Sequence, residues 1–145
     1  VSFFQTEYKI PFCLHLKDKP LLDDAGNRAE VYGFPHYQAA SVDQWISESD
    51  RIQVGEFDIR ILFVPGHAPG HVAFYLEKQG WVIGGDVLFK RSVGRTDFPL
   101  CSHADLINSI QTQLYTLPEQ TLVYPGHGPK TSIGEEKQHN PYVKA

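Results

Sequence analysis

Three apolar runs of strand length each break off at a glycine or proline pair, and the residue after each break carries a side chain that can hold a cation. Phe57 to Val64 stops at Pro65-Gly66 before His67. Trp81 to Ile83 stops at Gly84-Gly85 before Asp86, and Thr121 to Tyr124 stops at Pro125-Gly126 before His127. This punctuation constrains the fold more than composition does, because strands that end alike can bring their loops to one edge of a sheet. Phe57, Ile59, Ile61 and Phe63 alternate with Asp58, Arg60 and Leu62, the period of a half-buried strand. Val72 to Leu76 and Trp81 to Ile83, with Gln79-Gly80 between them, predict an antiparallel hairpin. Ser102 and Asp105 have the form of a capping box. Leu106, Ile107, Ile110, Leu114 and Leu117 then recur at helical spacing until Pro118. Ser132 to His139 predicts a last helix, with Glu135 and Glu136 near its positive end. Strands followed by helices predict an α/β (α+β) layered domain, a sheet covered by helices.

The first part of the chain is less patterned. Val1 to Glu7 reads as the tail of an amphipathic helix and Pro11 to Leu16 as a short strand. Lys17 to Phe34 reads as a short helix around Leu21 and Leu22 followed by turns at Gly26, Asn27 and Gly33, and Pro35 to Asp50 has no clear period. A length of 145 residues predicts one domain over 1–145. The chain starts at Val1 and holds no Met, so it is expected to be an N-terminally truncated piece of a longer product. A net charge of −4 without a Lys/Arg block argues against nucleic acid and membrane surfaces as partners. No apolar run approaches the roughly 20 residues that cross a bilayer. Cys13 and Cys101 fall in no metal-binding spacing and predict free thiols in a reducing compartment, the cytoplasm.

Imidazole and carboxylate are zinc donors, and a carboxylate has two oxygens, so Asp86 can bridge two ions while His67 and His127 each serve one. A single histidine after a strand is usually a hydrogen-bonded surface or core residue; three donors in matching loops are a different observation. Asp86, ionised and unpaired after a buried strand, would bear a large desolvation cost, which argues for a cation or strong donor beside it; a turn cap is the plainer reading. His71, four residues after His67, is separated from it by Pro69-Gly70, which denies it a helical zinc motif and makes it a structural or second-layer residue. Arg91, Arg95 and Asp97 form a charged loop. Arg95 and Asp97 are candidates for orienting a ligand or touching substrate, and an Arg–Asp pair that orders the loop explains them equally well. His15, His36, His103 and His139 lack such a context.

At PGHAPGH (Pro65 to His71), GGDVLF (Gly84 to Phe89), SVGRTDFP (Ser92 to Pro99) and YPGHGPKTSIGEEKQHNPY (Tyr124 to Tyr142), the sequence resembles the metallo-beta-lactamase superfamily, and within it small bacterial hydrolases of the glyoxalase II type. The resemblance implies the C-terminal portion of an αββα sandwich holding two zinc ions, with iron or manganese as alternatives. His67 would bind one ion, His127 the other, and Asp86 both. It further implies hydrolysis of a small thioester, such as a hydroxyacyl-glutathione, by a metal-bound hydroxide. The HxHxDH motif that supplies the family's other ligands and catalytic aspartate is absent from these 145 residues. The resemblance places it upstream, so this chain alone is expected to bind metal weakly and to be inactive. An iron-dependent persulfide dioxygenase of the same fold and a non-catalytic domain used for assembly are the alternatives. A homo-oligomer formed through the exposed sheet is the expected macromolecular association.

Overall fold

The computed structural model describes residues 1–34 and 36–145, so Pro35 of the patternless stretch lies outside it. Its contacts divide the chain into two compact units, Val1–Ile46 and Ser47–Ala145. The first unit opens with helix α1 (Ser2–Tyr8) and strand β1 (Cys13–His15), continues through helices α2 (Lys19–Asp23) and α3 (Ala25–Val31), and closes with β2 (Gln44–Ile46). Strands β1 and β2 pair in parallel, Leu14 opposite Trp45. Asp43 pins this unit, accepting from the Phe12 amide at 2.8 Å and from Gln5 Nε2 at 2.6 Å. Those bonds, the Phe12 amide first, hold its carboxyl below the ordinary range. Gly26 and Asn27 do not make the expected turn but lie inside α3. Asp24, just before that helix, accepts from Asn27 Nδ2 at 3.0 Å and Arg28 Nε at 2.9 Å, which fastens the first turn against their weak helical propensity. Gly33 keeps its turn, at a φ of 72°.

The second unit carries β3 (Arg51–Val54), β4 (Phe57–Phe63), β5 (Val72–Leu76) and β6 (Trp81–Gly85), then a small hairpin of β7 (Leu88–Phe89) and β8 (Ser92–Val93). Helix α4 (His103–Ser109), β9 (Leu122–Pro125), β10 (Thr131–Ser132) and α5 (Ile133–His139) complete it. Six strands form one sheet in the order β10-β9-β6-β5-β4-β3. All neighbours are antiparallel except β6 and β9, which run in parallel and are joined by the crossover that contains α4. Because β5 is antiparallel to both β4 and β6, the carboxyl ends of β4, β6 and β9 share one edge. Strand β6 runs through Gly84 and Gly85 rather than stopping before them, with an irregular register between Ile83 and Gly85.

Alternation sorts the faces. Val82 is fully buried while its neighbours Trp81 and Ile83 are 39% and 50% exposed. Leu62, Ala73, Val82 and Val123 belong to the same core as Leu106, Ile110, Leu114 and Ile133 from the helical segments. Ser102 caps α4, its Oγ accepting from the Asp105 amide at 3.2 Å, and Ser132 caps α5 by the same bond to Glu135. The regular helix ends at Ser109, however, and Ile110–Leu114 is π-helical. Tyr115 N–H bonds Ile110 O at 2.8 Å, and the wider turn sends the Tyr115 hydroxyl inward to donate to the Glu136 carbonyl at 3.0 Å. No helix among the described residues is long and apolar enough to cross a membrane. Ser102→Ala removes the α4 cap and is expected to lower the free energy of unfolding by about 1 kcal/mol, measured by urea denaturation.

Candidate metal centre

The loop after β4 is built from backbone bonds. Val64 N–H donates to His71 O at 2.9 Å and Gly66 N–H to Ala68 O at 3.2 Å, so residues 64–71 close on themselves. Gly66, at a φ of 135°, lies against the backbone of Leu106, in the space any side chain would need. Three groups then fasten the loop: Ser102 N–H to Gly66 O at 2.8 Å, Ser109 Oγ to Pro65 O at 2.8 Å and Cys101 Sγ to His67 O at 2.9 Å. The loop that presents His67 is thereby seated on the start of α4.

Asp86 follows Gly85, whose φ of 56° turns the chain out of β6. Gly126 N–H donates to Gly85 O at 2.9 Å and Gly94 N–H to Val87 O at 3.0 Å. A Cβ on Gly126 would strike Asp86 Oδ1, and one on Gly94 would strike the Asp86 carbonyl oxygen. Neither glycine has a positive φ, so both are there for room rather than for backbone freedom.

His67 Nε2 and His127 Nε2 each lie 3.8 Å from the same oxygen, Asp86 Oδ2. Two donors sharing a tetrahedral ion at about 2.0–2.2 Å stand roughly 3.3–3.6 Å apart, so the spacing is close to that of a ligand pair. His67 Nδ1 lies 2.8 Å from the Arg95 carbonyl. A carbonyl only accepts, so Nδ1 carries the hydrogen and Nε2 is the ring atom turned toward Asp86. The His127 ring lies 4.5 Å from that of Phe89. The two histidines meet through Asp86, but among the described residues no group of three or more His, Cys, Asp or Glu side chains is placed to hold a metal ion by itself. The donors open on a cavity of about 360 Å³ lined also by Phe89, Lys90 and Arg95. A larger recess of about 530 Å³ belongs to the first unit and is lined by Leu22, Ala25, Phe34 and His36, with one imidazole and no carboxylate.

His71 lies under the turn: a Cβ on Gly85 would meet its Nε2, and its buried Nδ1 has no hydrogen-bond partner. Burial, and then the neighbouring His67, push its pKa down from 6.5 to about 4, against the opposing pull of Asp86. Arg95 and Asp97 pair with each other, Nε to Oδ1 at 3.0 Å and Nη2 to Oδ2 at 2.8 Å, and the Arg95 guanidinium lies 4.4 Å from the Phe98 ring centre. Arg91 turns away from them to Glu135, Nη2 to Oε1 at 2.7 Å. His15 accepts from the Lys17 amide at 3.3 Å, His103 lies 3.4 Å from Thr96 Oγ1 and His139 3.9 Å from Glu135. None of these three, nor His36, lines the cavity. The Arg95 carbonyl, Gly94 and Phe89 escape a reading of side-chain chemistry; Phe89 and Gly94 stand inside quoted motifs, but their contacts have no sequence signal.

His71 predicts a pH effect. Its folded pKa lies below the unfolded value, so the unfolded chain takes up the proton first. The stability it contributes is full above about pH 6.5 and is lost as pH falls toward 4. Denaturation midpoints across that window are expected to fall, and to fall less in His71→Gln. Gly126→Ala, which crowds the Asp86 carboxylate, is expected to weaken divalent-metal affinity by roughly 10–100-fold in a calorimetric titration of the full-length protein.

Known proteins share this arrangement of chain. A model of the metallo-beta-lactamase superfamily matches residues 3–127. A protein named hydroxyacylglutathione hydrolase GloC, from Haemophilus influenzae, is 38% identical over 130 residues, 89% of this chain and 61% of that protein. The crystal structure of BLEG-1, a B3 metallo-beta-lactamase, matches with a TM-score of 0.88 at 35% identity over 99% of this chain and 69% of that one. TTHA1623, in a di-iron-bound form, matches with a TM-score of 0.87 at 35% identity over 99% and 70%. The chain thus spans about three fifths of the length of the Haemophilus relative.

Proposed function

Because the chain belongs to the metallo-beta-lactamase superfamily, we propose that the protein carrying it is a zinc-dependent hydrolase of small thioesters of the hydroxyacyl-glutathione kind. The observation that carries the reading is the convergence of His67, Asp86 and His127, with both imidazole Nε2 atoms facing one carboxylate oxygen. The name of the Haemophilus relative supports the substrate class. Zinc suits the nitrogen and oxygen donors, and the di-iron form of TTHA1623 makes iron the competing metal. His67 would hold one ion, His127 the other, and Asp86 would bridge them. Two donors per ion fall short of the three or more that zinc takes from protein, so the reading requires further ligands from outside residues 1–145, of the HxHxDH type.

A bound divalent cation would supply an activated water and polarise the thioester carbonyl. The residues of this chain prepare the place for that chemistry. The Arg95 carbonyl fixes the His67 tautomer, the backbone around Gly94 and Gly126 fixes Asp86, and Phe89 backs His127. Lys90 puts positive charge on the cavity wall, where a carboxylate of a glutathione-like leaving group would bind, while the Arg95 guanidinium is already paired with Asp97. The family match spans both compact units, which supports reading them as one domain. Both cysteines are free, in keeping with a cytoplasmic protein.

The test is hydrolysis of a hydroxyacyl-glutathione thioester by the full-length protein, with metal content measured on the same sample. Two zinc ions per chain and turnover abolished by chelation or by Asp86→Ala are expected. Turnover that persists after complete metal removal overturns the reading.

A further inference from the structure

Glu136, on α5, has no exposed surface. A buried carboxylate is costly unless donors surround it, and three do. Oε1 accepts from Thr131 Oγ1 at 2.5 Å; Oε2 accepts from the Arg91 N–H at 2.9 Å and from Asn140 Nδ2 at 2.8 Å. Thr131 and Asn140 are its sequence neighbours, whereas Arg91, 45 residues away, is at the tip of the β7–β8 hairpin. Asn140 Nδ2 also donates to the Ser92 carbonyl at 3.0 Å. Two successive residues of the tip are therefore tied to α5. Arg91 takes a φ of 59°, a left-handed conformation that is strained for a residue carrying a Cβ.

The same hairpin and the residues just after it touch all three residues of the centre. The segment starts at Asp86. Phe89, opposite Ser92 in the hairpin register, brings its ring to 4.5 Å from His127. Beyond β8, Gly94 packs on the Asp86 carbonyl and the Arg95 carbonyl accepts from His67 Nδ1 at 2.8 Å. A shift of the tip would reach His127 through Phe89 and His67 through Arg95.

We propose that Glu136 is a positioning residue of the centre, fixing the β7–β8 hairpin so that Phe89 sets the His127 ring and the Arg95 carbonyl sets the His67 ring. It acts through the hairpin and touches neither substrate nor metal. The inference rests on the reading of His67, Asp86 and His127 as ligands for what the positioning accomplishes, but the positioning itself is measurable without metal. Glu136→Gln can keep the network: its amide oxygen replaces Oε2 toward Arg91 and Asn140, and its NH₂ donates to Thr131 Oγ1, whose hydroxyl turns to accept. Glu136→Ala leaves the Arg91 N–H and the Asn140 amide without that acceptor and frees the tip.

The experiment uses the full-length protein and reads the histidine ring resonances by NMR in the metal-free state, then titrates Co²⁺ and follows its visible spectrum. In Glu136→Ala, the His127 ring protons are expected to lose the ring-current shift from Phe89, and Co²⁺ affinity to fall about tenfold with an altered spectrum. Glu136→Gln is expected to keep both. A purely stabilising Glu136 would lower the melting temperature and leave the His127 resonances and the Co²⁺ spectrum of folded Glu136→Ala unchanged, and that result overturns the proposal. If Glu136→Ala does not fold, Asn140→Ala, which removes the Ser92 tie, is expected to move the same resonances; their constancy there overturns it equally. Wild-type protein that takes up no Co²⁺ defeats the metal reading, while a moved His127 ring in the metal-free variant would still uphold the positioning role.

Discussion

Asp86 occupies a space that exists because its neighbours have no side chains. Gly94 packs against its carbonyl, Gly126 against its carboxylate, and Gly85 turns the chain out of the sheet just before it. A Cβ at Gly94 or Gly126 would put carbon where an Asp86 oxygen lies. Three stretches of backbone therefore approach one another more closely than ordinary residues allow. The sheet makes that approach possible, since the parallel pairing of β6 and β9 sets Gly85 beside Pro125 and so delivers the His127 loop next to Asp86. The third loop arrives because β4 runs in the same sense two strands away.

Close approach alone would leave the imidazoles free to turn. Main-chain carbonyls and ring contacts settle their orientation: the Arg95 carbonyl for His67, the Phe89 ring for His127. Both restraints come from residues 89–95, which are two short strands and the segment just after them. So few residues hold their shape because their ends are tied elsewhere. Gly94 bonds back to Val87, and residues 91 and 92 bond to the buried end of α5. The three side chains are thus arranged by contacts within the protein itself.

Elements long enough to show a period were legible in the sequence. The strand at 57–63, the apolar hairpin around Gln79-Gly80 and the serine ahead of α4 appear as read, but burial along 57–63 does not alternate, since Ile61 and Leu62 are both buried, and Ser132, read as the first residue of the last helix, is its cap. The strands at 51–54, 88–89, 92–93 and 131–132 have two to four residues and cannot display one. His67, Asp86 and His127 stood out in the sequence because each follows a strand, and the fold brings them together. Their partners did not stand out, since a carbonyl acceptor at Arg95 or the room at Gly126 carries no mark in residue type. Glu136 read as a charge suited to the positive end of a helix, yet its partners Arg91 and Asn140 bury it, and a bond between positions 45 residues apart has no local pattern. Gly26 and Asn27 misled for the opposite reason: their propensities favour a turn, and the bonds of Asn27 and Arg28 to Asp24 hold a helix there instead.

His71 shows how the packing that shapes the centre also sets its charge. Its imidazole lies against the place a Gly85 side chain would fill, with Nδ1 unpaired and buried, and this burial more than any neighbour drives its pKa to about 4. A protonated ring there would put a fixed positive charge beneath Asp86 and oppose any cation drawn to that carboxylate. Desolvation withholds the proton near neutral pH, and the nearby His67 adds to the effect. The carboxylate's attraction for positive charge is therefore not spent on its own underlying histidine, and it remains directed toward the cavity that His67 and His127 also face.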